Sequence, residues 1–232
     1  MTWCTKTWNS SIGLKWIMGL TGAGVVLFVL GHLAGNLQIF LGPHALNRYA
    51  HALQSLGELL WVIRGGLVVI FVLHVVTAVR LTVLNRAARG RRYEVQKAVR
   101  VGLSSRTLLL SGIVVLAFVA YHLAHFTLGT ADPEIFHVVD ENGDHDVYSM
   151  VVLGFRVPAV AILYVIAVFV LSVHLNHTIS SIFQTLGLNR PKYQALISRG
   201  GPVLAGLVFL GYASIPVSVL LRLLGLPGEG SH

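Results

Sequence analysis

The sequence predicts an all-α integral membrane protein, with five transmembrane helices arranged as a four-helix bundle plus a fifth, peripheral helix. Three observations predict it. Of 232 residues, 55% are of the AVILMFWYC set and only 11% are Asp, Glu, Lys or Arg, with a mean hydropathy of +0.74. A soluble domain carries roughly 25% charged residues, so this chain lacks the charge to wet a globule. Five stretches also reach the roughly 20 mostly apolar residues that span a bilayer. Finally, the charges are segregated between alternate flanks of those stretches.

The first stretch, residues 16–41, is too long for the apolar core of a signal peptide, and no A-x-A-like site follows it. It is expected as a retained helix. Residues 59–84, 103–128, 157–183 and 202–224 supply the other four spans, joined by connections short enough for a single domain. One set of flanks holds Lys6, Lys15, Arg80, Arg86, Arg89, Arg91, Arg92, Lys97, Arg100, Arg106, Arg190, Lys192 and Arg199, with Glu94 as its one acid. The opposite set holds Arg48, Arg64, Arg156 and Arg222, against eight acids, six of them between Asp132 and Asp146. The positive-inside rule therefore places the N-terminus in the cytoplasm and the C-terminus outside. The formal charge of +8 is a transmembrane asymmetry suited to anionic lipid or an acidic partner. No nucleic-acid role follows from it. A lone cysteine, Cys4, excludes a disulfide within the chain and any cysteine-built metal site.

Eleven histidines are unusual in so apolar a chain. His137 and His145 fall in the acidic loop, His44 and His51 in the first outer connection, and His232 at the end. Six lie within spans: His32, His74, His122, His125, His174 and His177. Polar groups there are costly and functional by default, although a single one could serve only as a helix-to-helix hydrogen bond. Each of the first four spans carries at least one. At 1.5 Å per residue, with alternate spans running in opposite directions, His32 and His122 share a level roughly 5–9 Å above the midplane. His74 and His174 share one roughly 4–6 Å below it. Two imidazole pairs at two depths in a bundle suit two bis-imidazole haems. By spacing alone His125 and His177 are alternatives, each one turn from its neighbour. Zinc would want three or four ligands at one level, and no carboxylate lies deep in any span. That absence also disfavours a proton pump or cation transporter. Gly31 and Gly35 flank His32, either to admit a porphyrin or as a small-xxx-small helix contact. Arg64, Arg80, Arg106 and Arg156 stand near span ends, where they could pair with haem propionates or snorkel to headgroups.

Helix count, the order of one haem histidine in each of spans one to four, and four local strings together resemble a known family. The strings are Gly31-His32-Leu33-Ala34-Gly35-Asn36-Leu37-Gln38, Leu73-His74, Tyr121-His122-Leu123-Ala124-His125, and His174-Leu175-Asn176-His177-Thr178-Ile179-Ser180-Ser181-Ile182-Phe183-Gln184-Thr185. Almost the whole chain resembles the di-haem cytochrome b membrane-anchor subunit, of b558 type, of succinate:quinone oxidoreductases. These are the succinate dehydrogenases and fumarate reductases of bacterial inner membranes. The resemblance implies two b haems and a flavoprotein and an iron–sulfur subunit on the cytoplasmic face. It also implies electron transfer to or from a membrane quinone, with menaquinone expected, and a complex that can oligomerise further. It assigns His74 and His174 to the proximal haem and His32 and His122 to the distal one, favouring His122 over His125 and His174 over His177. It also suggests a quinone site near Glu58, with Tyr49, His51 and Arg64. Some relatives carry an acid beside the span-four ligand, where this chain has Val173. Two other classes compete: the di-haem anchor of a formate dehydrogenase or hydrogenase, and a haem-free transporter or anchor.

Overall fold

The computed structural model describes residues 8, 10–88, 101–185, 187 and 191–229, and the side chains of these except 88, 101–107, 180, 184 and 191–197. Cys4, Lys6, Arg89, Arg91, Arg92, Lys97, Arg100, Arg190 and His232 therefore lie outside the described residues, as do the side chains of Arg106 and Lys192.

Eight α-helices are described: α1 (Ser11–Asn36), α2 (Pro43–Gln54), α3 (Glu58–Ala88), α4 (Val101–Phe126), α5 (Pro133–Phe136), α6 (Val147–Arg156), α7 (Pro158–Thr185) and α8 (Pro191–Leu220), apart from an isolated helical residue at Trp8. Helices α1, α3, α4, α7 and α8 are the five long and apolar enough to cross a membrane, over Ser11–Leu41, Glu58–Ala87, Leu108–Phe126, Pro158–Phe183 and Ser198–Leu220. The chain is thus an all-α transmembrane protein. The expected spans match these apolar stretches within about five residues, the first and last beginning earlier, at Ser11 and Ser198, and the third later, at Leu108.

Their surfaces explain why a bilayer is the required solvent. Helix α3 exposes Trp61, Val62, Ile63, Val68, Val69, Val72, Val76 and Val79, and buries chiefly Thr77 and Leu81. In water that stripe would be a large aggregation-prone patch; in lipid it is ordinary. Thr77 remains compatible with burial because its hydroxyl donates to the carbonyls of Leu73, at 2.6 Å, and His74, at 3.0 Å.

Helix α3 packs on α1, α1 on α7, and α4 on α7; α8 packs along α7 and touches α1. Among the described residues α3 and α4 do not pack closely on each other. One core cluster, built on Leu33, Leu175 and Val208, joins α1, α7 and α8 within the membrane. Tyr212 of α8 reinforces it by donating to the Val29 carbonyl at 2.7 Å.

The acidic connections are more structured than their sequence suggests. A 3₁₀ turn over Leu37–Leu41 ends at Gly42, whose φ of +94° is open to glycine, and Pro43 then starts α2. Ile39 and Leu46 join Tyr148, Val152 and Phe155 of α6, Tyr164 of α7 and Ile215 and Val219 of α8 in a second core. Asn47 of α2 locks the two connections together. Its amide donates to Asp146 Oδ1 at 2.8 Å, and its carbonyl oxygen accepts from the Tyr148 N–H at 2.9 Å. Asp146 also caps α6, accepting from the Ser149 N–H at 3.0 Å and the Ser149 hydroxyl at 2.5 Å. Burial alone would raise the Asp146 pKa, but these donors and the nearby His145 outweigh it and hold the carboxyl below its usual range.

Candidate functional site

Four spanning helices each send a histidine into the interior. His32 of α1 and His122 of α4 meet directly, with ring centroids 5.9 Å apart and planes at 78°. Around them stand Phe28, stacked on His32 at 5.3 Å, Phe118 at 5.9 Å from His122, and Tyr212 at 6.2 Å from His32. Allowing about 2 Å for a metal–imidazole bond, as for zinc, and roughly 1 Å from nitrogen to ring centre, two coaxial imidazoles on one metal stand about 6 Å apart. The observed separation is of that size. His122 Nδ1 is fully buried and has no hydrogen-bond partner, and such an orphan in a buried site demands a chemical reason.

One turn further along α4, His125 is differently placed. Its Nδ1 is 3.0 Å from the Tyr164 hydroxyl, and its ring stacks on Tyr121 and lies 4.0 Å from that of Phe126. Gly154 of α6 admits this cluster, since a Cβ there would approach Phe126 to 3.1 Å and His125 to 3.2 Å. His125 is therefore held within an aromatic cluster, whereas His122 faces His32.

His74 of α3 and His174 of α7 form the other group. His74 Nδ1 lies 3.4 Å from Thr21 Oγ1, and His174 Nδ1 lies 3.1 Å from Ser111 Oγ. Both hydroxyls spend their own proton on a carbonyl, Thr21 on Ile17 at 2.7 Å and Ser111 on Leu108 at 3.0 Å. Each is then left as an acceptor, which places the imidazole proton on Nδ1 and the free lone pair on Nε2. That is the tautomer in which Nε2 can bind a metal. The residues that follow the two hydroxyls are glycines, and both make room. A Cβ on Gly22 would stand 3.2 Å from His74 Cε1 and 3.7 Å from Thr178 Cγ2, and one on Gly112 would stand 3.4 Å from His174 Cε1. Thr21-Gly22 and Ser111-Gly112 are matching doublets on α1 and α4, each serving the histidine of a neighbouring helix. Sequence reasoning missed them; two hydroxyl–glycine pairs inside apolar spans were the available signal. His177 is half-buried, three residues beyond His174.

At His32 the neighbour is the Asn36 amide, with Nδ2 3.3 Å from Nδ1 and 2.7 Å from the His32 carbonyl. The two flanking glycines differ in their surroundings. Gly31 has nothing within 4 Å, and a Cβ on Gly35 would stand 2.6 Å from the ring of Tyr49. Gly35 thus seats the α2 phenol beneath the acidic connection, because only a bare backbone lets that ring approach.

The remaining candidates are scattered. Glu58 is exposed at the first position of α3, where a carboxylate suits the helix dipole. Tyr49 and His51 sit on α2, with His51 Nε2 3.7 Å from Asp144 Oδ2. Arg64 lies over Trp61 at 5.2 Å on its own helix, and Arg80 over Trp8 at 4.8 Å. Arg156 pairs with Glu229 of the C-terminal segment, and that hydrogen bond lowers the glutamate pKa. The Arg106 side chain lies outside the described residues.

Compared with known proteins, the chain matches no family model, no curated protein and no solved structure.

Proposed function

We propose that the protein is a two-haem cytochrome b anchor of a succinate:quinone oxidoreductase. It would pass electrons between an iron–sulfur partner on its basic face and a quinone in the membrane. The observation that carries this reading is that four helices each bring an imidazole into the interior of the membrane-spanning bundle. His32 meets His122, and matching hydroxyl–glycine doublets orient and make room for His74 and His174.

The residues present fit haem. Two Nε2 atoms are freed by tautomer, His122 carries an orphaned ring nitrogen, and glycines stand where side chains would crowd the imidazoles. A porphyrin also needs helices further apart than the 8–10 Å of direct packing, and among the described residues neither α1 with α4 nor α3 with α7 packs closely. Haem, when bound, supplies a one-electron carrier whose potential the protein tunes through its axial ligands and their hydrogen bonds. His74 and His174 would hold one such group, with Thr21 and Ser111 fixing their protons. His32 and His122 would hold the other in an aromatic surround.

In this reading the chain lies in a bacterial cytoplasmic membrane with the N-terminus inside. The basic face receives an iron–sulfur subunit and, behind it, a flavoprotein that handles succinate. Moving charge between the two levels is worth part of about 2.3 kcal/mol per 100 mV for a full crossing. The test is mild-detergent purification of the tagged full-length chain from its native host. A b-type reduced-minus-oxidised spectrum, with a flavoprotein and an iron–sulfur protein copurifying, is expected. Copurification with a molybdenum- or nickel-containing subunit would instead assign another respiratory enzyme, and a spectrum without haem would refute both.

A further inference from the structure

The acidic connection carries a second cluster of metal-ligating groups, remote in sequence from the intramembrane histidines. Residues 138–146 form a tight hairpin. Val139 bridges His145, the Asp140 N–H donates to the Asp144 carbonyl at 2.8 Å, and the Asp146 N–H donates to Val138 at 3.0 Å. Within it Asp140 Oδ1 accepts from the Asn142 and Asp144 N–H groups at 2.9 and 3.0 Å. These bonds fix the Asp140 carboxylate while leaving its second oxygen without such a bond. The hairpin meets α2 at His51, and one ligand atom each from His51, Asp140 and Asp144 lies within 4.8 Å of the others.

As a purely structural feature this arrangement contributes little. An exposed ion pair is worth ~0–1 kcal/mol, and setting Asp140 beside Asp144 adds like-charge repulsion that one imidazole only partly relieves. A divalent cation relieves it fully. We propose that His51, Asp140 and Asp144 form a surface site for a divalent transition cation, of which zinc is the best match, clamping the acidic hairpin to α2. One nitrogen and two oxygen donors with an open position for water suit zinc. The imidazole disfavours calcium and magnesium, which take oxygen donors. Bonds of about 2.0–2.2 Å require tetrahedral ligand atoms roughly 3.3–3.6 Å apart, so the observed cluster closes by small side-chain rotations. The clamp would act on the helix that carries Tyr49, the ring seated on Gly35 three residues beyond His32. It would thereby brace the acidic end of α1. This site does not depend on the haem reading.

The test uses the full-length purified protein, stripped with chelator and titrated with zinc chloride alone by calorimetry, with thermal melting in parallel. Wild type is expected to bind one zinc equivalent more than His51→Gln or the Asp140→Asn/Asp144→Asn double variant. In each variant this class of site should weaken by at least about tenfold, the loss expected even for outer partners of a metal ligand. Zinc should raise the melting temperature of wild type alone, and the three chelator-treated proteins should melt together, which separates site loss from misfolding. Unchanged zinc binding in His51→Gln would overturn the proposal. So would calcium binding to both wild type and His51→Gln as tightly as zinc binds wild type, which would mean that the acidic hairpin acts without the imidazole.

Discussion

His122 and His125 lie on the same helix, one turn apart, and both rings lie against Phe126 and Tyr164, yet their polar partners differ. His125 has the Tyr164 hydroxyl, while His122 faces His32 with a buried nitrogen left unpaired. His122→Ala should therefore remove about one haem per chain, whereas His125→Ala should keep both and lower the melting temperature; haem per protein and a melting curve separate the two. Thr21 and Ser111 make a subtler prediction. Each accepts a hydrogen bond from an imidazole that would ligate haem in the proposed function, which raises the basicity of that ring. Thr21→Val or Ser111→Ala should leave haem bound but raise the potential of one haem only. A bond worth about 0.5–1.5 kcal/mol converts to roughly 20–65 mV at 59 mV per tenfold change, measurable by redox titration. Neither hydroxyl stands out in the sequence, because its role depends on partners 53 and 63 residues away.

The spans were readable because a bilayer imposes length and composition on each helix separately. Helices α2 and α6 were not. They are short, they lie in polar connections, and their order comes from contacts between connections about a hundred residues apart, such as Asn47 with Asp146 and Tyr148. Asp146→Asn should lower the melting temperature at pH 7 by disrupting the α6 cap and its link to α2, with a cap alone worth about 0.5–2 kcal/mol. The sign with pH follows from the depressed pKa of Asp146. Its contribution is complete above the unfolded value of about 3.9 and is lost as pH falls through the lower folded value. The gap between wild type and Asp146→Asn should therefore narrow below about pH 4. Depth counting also placed the histidines in their two groups, since a helix rises uniformly. It could not tell His122 from His125, for a three-residue step leaves both on nearby faces and only their neighbours distinguish them. The resemblance favours His122, the ring that the fold sets against His32. Gly35 answers to Tyr49, which sits on a short helix whose contacts the local sequence does not encode.

For the molecule as a whole, charge and histidine sort along the same axis. The basic flanks and the acidic connections occupy opposite ends of the five spans, and the two imidazole groups lie between them. Single cysteines introduced at Asn142 and at Ser10, in a Cys4→Ser background, should label oppositely with an impermeant thiol reagent in intact cells. Asn142 is expected to react and Ser10 to be protected. The exposed stripe on α3 requires lipid or a partner helix, so detergent removal should aggregate the chain. The central claim is that four helices hold two haems through His32, His74, His122 and His174. Haem per chain, measured by pyridine haemochrome on wild type and the four single alanine variants, tests it most directly. About two b haems are expected in wild type and about one in each variant; a haem-free wild type, or variants that keep both, would rule out haem ligation by these four histidines.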